Sequence, residues 1–519
     1  MNKTKSTSSE YVEFVNNGNL QNIRKLRNEI IELEKIRTYP GENDQNNNIK
    51  ITLISDLINS KFVLKYFLYK EHKKKMIIAI PERWNQLLSA NGMDYKPILS
   101  KIAYFLYHIR KFVKEISKST YYLKPVRLKP FRHIRNSDQK IMLHSSFNDP
   151  AIFSNNPKLF CFSNWYIRRY LQESSIFFYT CCVKAKVKNV EFSLIPVKNY
   201  LLPISFLKQI QLVKYFFVEF LKLASNPKTL AKFNYFQLSD LILTERYKLT
   251  DKTLLPSSVL LNESSGYVIP KWVKYLEENG TNVDFFNFSI SDSPIIYDDQ
   301  IREFFPWGFL KWDNIKVIDE YQLTFLKKNL INVPKQIEIT GVPFYTDKQI
   351  NLEETDDYVC LFDIRAKPEH FGISTLNELG SNSFNYQEEI IKSMLTFSDM
   401  TGIKVFYKQK RYNDVKFLSD DTFNMVSRAE KNNTFRLIDY RVSPHKLIKG
   451  SLGVVSQAFT TTSIIAKDYN KPNVIVDLSS KLRSNDPCVR GVDIVNDSET
   501  LLAWLFHKLQ ITKYPEISK

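Results

Sequence analysis

Four hydroxyl residues in a row, Thr460-Thr461-Thr462-Ser463, stand between a buried-type strand and a helical pattern in SLGVVSQAFTTTSIIAKDYNKPNVIVD, residues 451–477. A helix start carries unpaired backbone N–H groups and about half a positive charge from its dipole. Hydroxyl donors at the same place make an anion site suited to a diphosphate. Ordinary N-capping by Thr462 or Ser463 needs a single hydroxyl, and the loop offers four. Ligand binding through Phe459, Thr460, Thr461, Thr462 and Ser463 is therefore the stronger reading.

A second group of candidates sits at strand ends. In IKVFYKQKR (403–411), Lys408 and Lys410 project to one side of an extended strand and Arg411 to the other. Two cations there would neutralise a diphosphate as it leaves; the plain alternative is a solvated lysine-rich turn. Asp363 closes the strand VCLFDI, with His370 one loop further on. The carboxylate is placed to hold a ribose hydroxyl or to orient His370. Arg490, followed by Gly491, reaches toward the same pocket from a later turn. Glu263 ends the strand SSVLLNE, where capping the next helix would explain it equally well. No Asp-x-Asp pair lies in a convincing loop, and Asp298-Asp299 and Asp420-Asp421 read as solvated turns, so no metal is expected.

The elements that must carry these residues are short apolar runs alternating with helical periodicity. A polar tail and an amphipathic helix occupy 1–44, the helix at about 18–37. Strands are expected at 51–55, 76–81, 176–182 and 190–196, then a long helix over 204–224. Residues 257–263, 268–280 and 282–289 read as strand–helix–strand, with Gly280 at the helix C-cap. A second series opens with IEITGV (337–342) and continues with strands at 358–364, 403–411, 435–439, 452–456 and 473–477. Its helices are expected at 387–401 and 463–469. Such alternation describes doubly wound parallel sheets. The fold class is α/β, with two Rossmann-like domains facing a cleft: an N-terminal domain over 45–325 and a C-terminal ligand-binding domain over 336–497. The closing helix, 498–519, is drawn as crossing back.

Composition bounds the partners. The chain has 519 residues, 43% of them hydrophobic and 25% charged, which is globular rather than disordered. The net charge of +18 invites an acidic partner, although Lys, Asn, Ile, Tyr and Phe abundance also fits an AT-biased gene. The set includes no nucleic-acid motif, and no nucleic acid is expected. Residues 96–135 interleave eleven Lys or Arg with aromatic residues against one acid, Glu115. That segment is either a solvated basic face or a helix lying on an anionic membrane surface. Five scattered cysteines read as buried free thiols in a reducing compartment. With no signal core at the N-terminus and no membrane-spanning run, a cytoplasmic location is expected, peripheral on the inner face of the membrane.

Several stretches, in order, resemble bacterial surface-polysaccharide biosynthesis proteins named for a Pro-Phe-Thr-Ser motif. They are NESSGYVIPKWVKYLEENGTNV, VIDEYQLTFLKK with IEITGVPFYTD, VCLFDIRAKPEHFG, IKVFYKQKR, QAFTTTSIIAKDYNKPNVIVD and DPCVRGVDIVNDSETLLAWL, together covering about 257–506. At the motif, Ala458 replaces Pro and Thr461 replaces Ser, so the hydroxyl survives. The resemblance implies a GT-B-like glycosyltransferase moving a sugar from a nucleotide-sugar donor to a lipid-linked or growing surface polysaccharide, O-antigen or capsule, without metal or other cofactor. On that reading Asp363, Lys408, Lys410, Phe459 to Ser463 and Arg490 hold the donor. Glu263 is the base for the acceptor hydroxyl and His370 a second catalytic group. The alternatives are a polyol-phosphate transferase of similar fold and a non-catalytic glycan- or nucleotide-binding protein.

Overall fold

The computed structural model describes the greater part of residues 82–126, 139–143, 176–180, 192–225, 238–261, 269–287, 310–341, 357–363, 384–408, 420–439, 442–457, 461–480 and 482–511, with a few isolated positions besides. In the first half lie strands β1 (Gln139–Leu143), β2 (Ile176–Thr180), β3 (Phe192–Pro196), β4 (Ser258–Leu261) and β5 (Asn282–Asn287). A two-strand antiparallel pair follows, β6 (Ile296–Tyr297) and β7 (Gln300–Ile301), then β8 (Asn314–Val317) and β9 (Gln336–Ile339). The second half holds β10 (Tyr358–Phe362), β11 (Lys404–Lys408), β12 (Phe435–Ile438), β13 (Gly453–Gln457), β14 (Asn473–Val476) and β15 (Asp493–Val495).

These strands build two parallel sheets, ordered β3-β2-β1-β4-β5-β8-β9 and β12-β11-β10-β13-β14-β15. Leaving the small antiparallel pair aside, the strands of each sheet run 3-2-1-4-5-6 in chain order, and the first sheet adds a seventh. This is the doubly wound dinucleotide-fold order, in which the chain turns to opposite sides at strands 1 and 4 and leaves a crevice at their carboxyl ends. The fold is therefore α/β with two Rossmann-like domains, a GT-B-like plan.

The helices among the described residues are α1 (Glu82–Ala90), α2 (Pro97–Tyr122), α3 (Phe206–Ala224), α4 (Leu238–Leu249), α5 (Lys271–Glu278) and α6 (Glu320–Asn329). In the second half they are α7 (Phe384–Thr401), α8 (Asp420–Lys431), α9 (Pro444–Gly450), α10 (Thr461–Asp468) and α11 (Ser498–Lys508). In the second sheet, β10 and β13 are buried along their whole length, as parallel strands covered on both faces must be. Alternation sends Val359 and Leu361 into a core with α7, α8 and α11. Tyr358, Cys360 and Phe362 enter the opposite core with α9 and α10. Local chemistry fixes the helix ends. Asp319 accepts the Gln322 N–H at 2.9 Å to start α6, Asp497 forms a capping box with Thr500 at α11, and Gly280 follows α5 at φ +89°.

Four features differ from the sequence reading. The IEIT strand, expected to open the second series, is the edge strand β9 of the first sheet, with Ile315 and Val317 paired to Ile337 and Ile339. The final helix α11 does not cross back: Leu501, Trp504, Leu505 and Phe506 belong to the core of the second domain, beside Phe397. Helix α10 begins at Thr461, two residues earlier than expected, and Asp420-Asp421 form the first turn of α8 rather than a turn between elements. The strand read at 51–55 and most of the 18–37 helix lie outside the described residues. Of 76–81 only Ile77 and Ala79 are described, and neither is in a strand. Cys360 and Cys488 are buried free thiols; Cys161, Cys181 and Cys182 lie outside the described residues.

Candidate active site

The crevice of the second domain opens between β10 and β13, and Asp363 stands at its edge. It is the residue after β10, only 5% exposed. Its Oδ2 accepts from the Tyr407 hydroxyl at 2.5 Å and from Gln387 Nε2 at 2.8 Å. Tyr407 comes from β11 and Gln387 from the first turn of α7, so three elements fix one carboxylate. Gln387 is 1% exposed, and its Oε1 has no hydrogen-bond partner. A buried amide oxygen without a donor costs about 1–3 kcal/mol.

Lys408 ends β11 in register with Phe362, the residue before Asp363. Burial lowers its ammonium below the ordinary lysine value, while Asp363 and Asp439 act in the opposite direction. Lys408 thus stands half-buried at the strand end, its charge met by two strand-end carboxylates.

Across the crevice, β13 leads into α10. Thr461, Thr462 and Ser463 are the first three residues of that helix, so their N–H groups have no acceptor within it. The Thr462 hydroxyl lies 3.0 Å from the Ser456 hydroxyl in a buried pair, and the Ser463 carbonyl accepts from Asn473 Nδ2 at 3.2 Å. Both residues are buried, and neither is the N-cap. Thr462 thus ties the helix start to the end of β13, while Thr461 remains partly exposed. The hydroxyl run therefore has a divided role: one member braces the turn and the backbone amides are presented by it.

The two domains meet through a continuous core in which Ile475, Leu482, Cys488, Val489 and Val492 join Trp312, Tyr321 and Phe325. Arg490 belongs to this junction. Its Nε donates to Asp319 Oδ2, its Nη2 lies 3.5 Å from Asp319 Oδ1, and its guanidinium sits 4.3 Å from the Tyr321 ring centroid. These contacts place Arg490, expected from sequence to touch the donor, at the junction of the two domains.

Of the remaining expected residues, Glu263, His370, Lys410, Phe459 and Thr460 lie outside the described residues. Glu263 follows β4, the fourth strand of the first sheet, two residues beyond its end. At the carboxyl edge of the first sheet, Asn287 closes β5; it is 2% exposed and its Nδ2 has no partner. Sequence reading missed Gln387, Tyr407 and Asn287. The first two were visible only as members of a helix and a strand, because their value comes from converging on Asp363. Among the described residues, no three His, Cys, Asp or Glu side chains cluster as a metal site.

A family model described as polysaccharide biosynthesis PFTS motif protein matches residues 220–505, more than half of the chain. Among solved structures, the chain is similar to a wall teichoic acid polymerase at 11% identity and a TM-score of 0.39, covering 78% of this chain and 90% of that one. It is similar to a UDP-GlcNAc 2-epimerase from Methanocaldococcus jannaschii at 12% identity and a TM-score of 0.34, covering 72% and 93%. A glycosyltransferase from Rickettsia africae gives 9% identity and a TM-score of 0.36, covering 72% and 89%. No curated protein matches the chain.

Proposed function

Because the chain belongs to the polysaccharide-biosynthesis family with the Pro-Phe-Thr-Ser motif, we propose that it transfers a sugar from a nucleotide-sugar donor to a lipid-linked or growing surface polysaccharide. The observation that carries this reading is the second-domain crevice. Its strand order brings Asp363, Lys408 and the amide-bearing start of α10 to one switch point, where α/β sheets bind nucleotides. The N–H groups of Thr461 to Ser463 and the Lys408 ammonium hold the donor diphosphate, and Phe459, Thr460 and Lys410 are assigned to the same donor. Asp363, fixed by Tyr407 and Gln387, accepts from a ribose hydroxyl.

In the reaction the bond between the anomeric carbon and the diphosphate oxygen breaks, and the electron pair leaves with the nucleoside diphosphate. The acceptor oxygen bonds to the anomeric carbon, and its proton passes to a base. Glu263, two residues after β4 in the chain, is that base; His370, seven residues after Asp363, is the second catalytic group. The fixed positive charge of Lys408 and the helix start stabilises the leaving group as its charge grows. No metal is needed on this reading, in which the diphosphate contacts are amide, hydroxyl and ammonium groups. The work is done at the inner face of the membrane, where a lipid-linked acceptor resides.

The test is release of nucleoside diphosphate from a panel of UDP-, GDP-, CDP- and dTDP-sugars, with and without glycan acceptors and in the presence of a chelator. Release lost in Lys408→Ala supports the reading. A product containing a phosphodiester would instead identify a polyol-phosphate transferase. Unchanged donor binding with no release in any condition would identify a binding protein.

A further inference from the structure

Thirteen of the seventeen exposed large hydrophobic side chains among the described residues fall on two helices of the first domain. On α2 they are Ile98, Leu99, Ile102, Phe105, Leu106, Ile109 and Val113, spaced three and four apart, so they form one stripe. Phe105 is 64% exposed and Ile98 73%. On α3 the set runs from Phe206, 77% exposed, to Leu221. The helices are antiparallel neighbours: Gln209 donates to the Leu123 carbonyl at one end, and the rings of Phe112 and Phe220 stack at 6.1 Å toward the other. Both lie on α4, which buries most of its own surface. An apolar surface of this extent is more than the scatter a soluble monomer normally leaves in water.

Charge decides what covers it. The two helices carry eight basic residues, Lys101, Arg110, Lys111, Lys114, Lys118, Lys208, Lys214 and Lys222, against two acids. Both acids are engaged within the protein, Glu115 with the Ser239 hydroxyl at 2.6 Å and Glu219 with Lys222 at 2.7 Å. No helix among the described residues is long and apolar enough to cross a membrane. At about 1.5 Å per residue, α2 extends roughly 39 Å, long enough to lie along a surface. Apolar stripes bordered by cations, without spanning length, are the pattern of helices that lie in a bilayer interface.

We propose that the paired α2 and α3 faces dock the protein onto an anionic lipid bilayer. The apolar stripes enter the acyl boundary and the cations meet lipid phosphates. This deepens the transferase reading by fixing which surface of the first domain faces the membrane, although the surface and its test need no donor. It also extends the sequence signal, which reached only α2: α3 reads as an ordinary core helix until its neighbour is known. The C-terminus of α2 is held firmly for this role. Buried Arg246 donates Nε to the Leu202 carbonyl at 2.8 Å and Nη1 to the Tyr122 and Lys124 carbonyls at 2.9 and 3.0 Å.

The test is flotation of the full chain with phosphatidylcholine vesicles, alone or with phosphatidylglycerol. Binding should be at least tenfold stronger to the anionic vesicles and should weaken with salt. Lys114→Gln with Lys118→Gln should weaken it by about fivefold per cation. Phe105→Ser with Ile109→Ser should abolish it, with circular dichroism and melting unchanged because both side chains are already exposed. Equal partitioning to neutral and anionic vesicles, or no partitioning, overturns the proposal. So does a concentration-dependent dimer in the ultracentrifuge that Phe105→Ser dissolves, since a second copy would then be the occupant. Nucleotide-sugar binding, measured without vesicles, separates failure here from failure of the transferase reading.

Discussion

Replacing Arg490 separates two jobs for the same side chain: holding the donor and joining the domains. In the structure its guanidinium pairs with Asp319 and covers Tyr321. The Arg490 side chain is 10% exposed and that of Asp319 27%, so solvent screens the pair only partly. Hydrogen bonds to charged groups contribute about 1.5–3 kcal/mol, and a cation over an aromatic ring about 0.5–2. Arg490→Ala should therefore cost roughly 2–4 kcal/mol of stability. Backbone strain adds little to this difference: Arg490 sits at φ +57°, and alanine is no better suited to that conformation. Arg490→Lys keeps the charge but loses the fork and should cost about half as much. Asp319→Asn should be partly redundant with Arg490→Ala in a double-mutant cycle, with about 1–2 kcal/mol of coupling. Urea unfolding midpoints read all of these, and donor titration runs beside them. A stability change under about 0.5 kcal/mol, together with a tenfold loss of donor affinity, would refute the junction role and return Arg490 to the donor site.

Two further outcomes follow from buried polar groups. Arg246→Met leaves three carbonyls without their donor and should destabilise the protein by about 2–4 kcal/mol, whereas an unchanged melting temperature would show that water replaces the guanidinium. Burial lowers His445 to about 2 and His108 to about 4. Below the ordinary histidine value near 6.5, the unfolded chain takes up protons that the folded chain refuses, so stability falls as pH drops. At pH 5 the loss is roughly 2 kcal/mol per histidine. Melting curves at pH 7 and 5 read it, His445→Gln should flatten the dependence, and a pH-independent melting temperature would contradict it.

The central strands β10 and β13 of the second domain were legible in sequence because they are buried along their whole length and read as unbroken apolar runs, YVCLF and GVVSQ, whereas α8, α9 and the partly exposed edge strand β15 were not. Where burial and pattern diverge, sequence reading failed. Central strand β1, QKIML, is brief and bounded by polar residues, yet Ile141 and Met142 are completely buried. Helix α4 buries Ser239, Thr244 and Arg246 along with its leucines, which erases the polar face that would mark its period. The edge strand β9 carries the same apolar alternation whichever sheet it joins, and only pairing with β8 assigns it. At the site, residues at strand ends were readable: Asp363 and Lys408 were found because chain position alone puts them on the carboxyl edge. Gln387, Tyr407 and the Arg490–Asp319 contact were not, since each depends on elements tens of residues apart in the chain meeting in space.

The central claim is that the crevice between β10 and β13 holds a nucleotide sugar. Isothermal titration of the full chain against the UDP-, GDP-, CDP- and dTDP-sugars tests it most directly, with Asp363→Asn and Lys408→Ala as partners. One sugar nucleotide should bind, Lys408→Ala should weaken it at least tenfold, and Asp363→Asn should weaken it as well. Binding of none of the nucleotides, or binding that both substitutions leave untouched, would contradict the account.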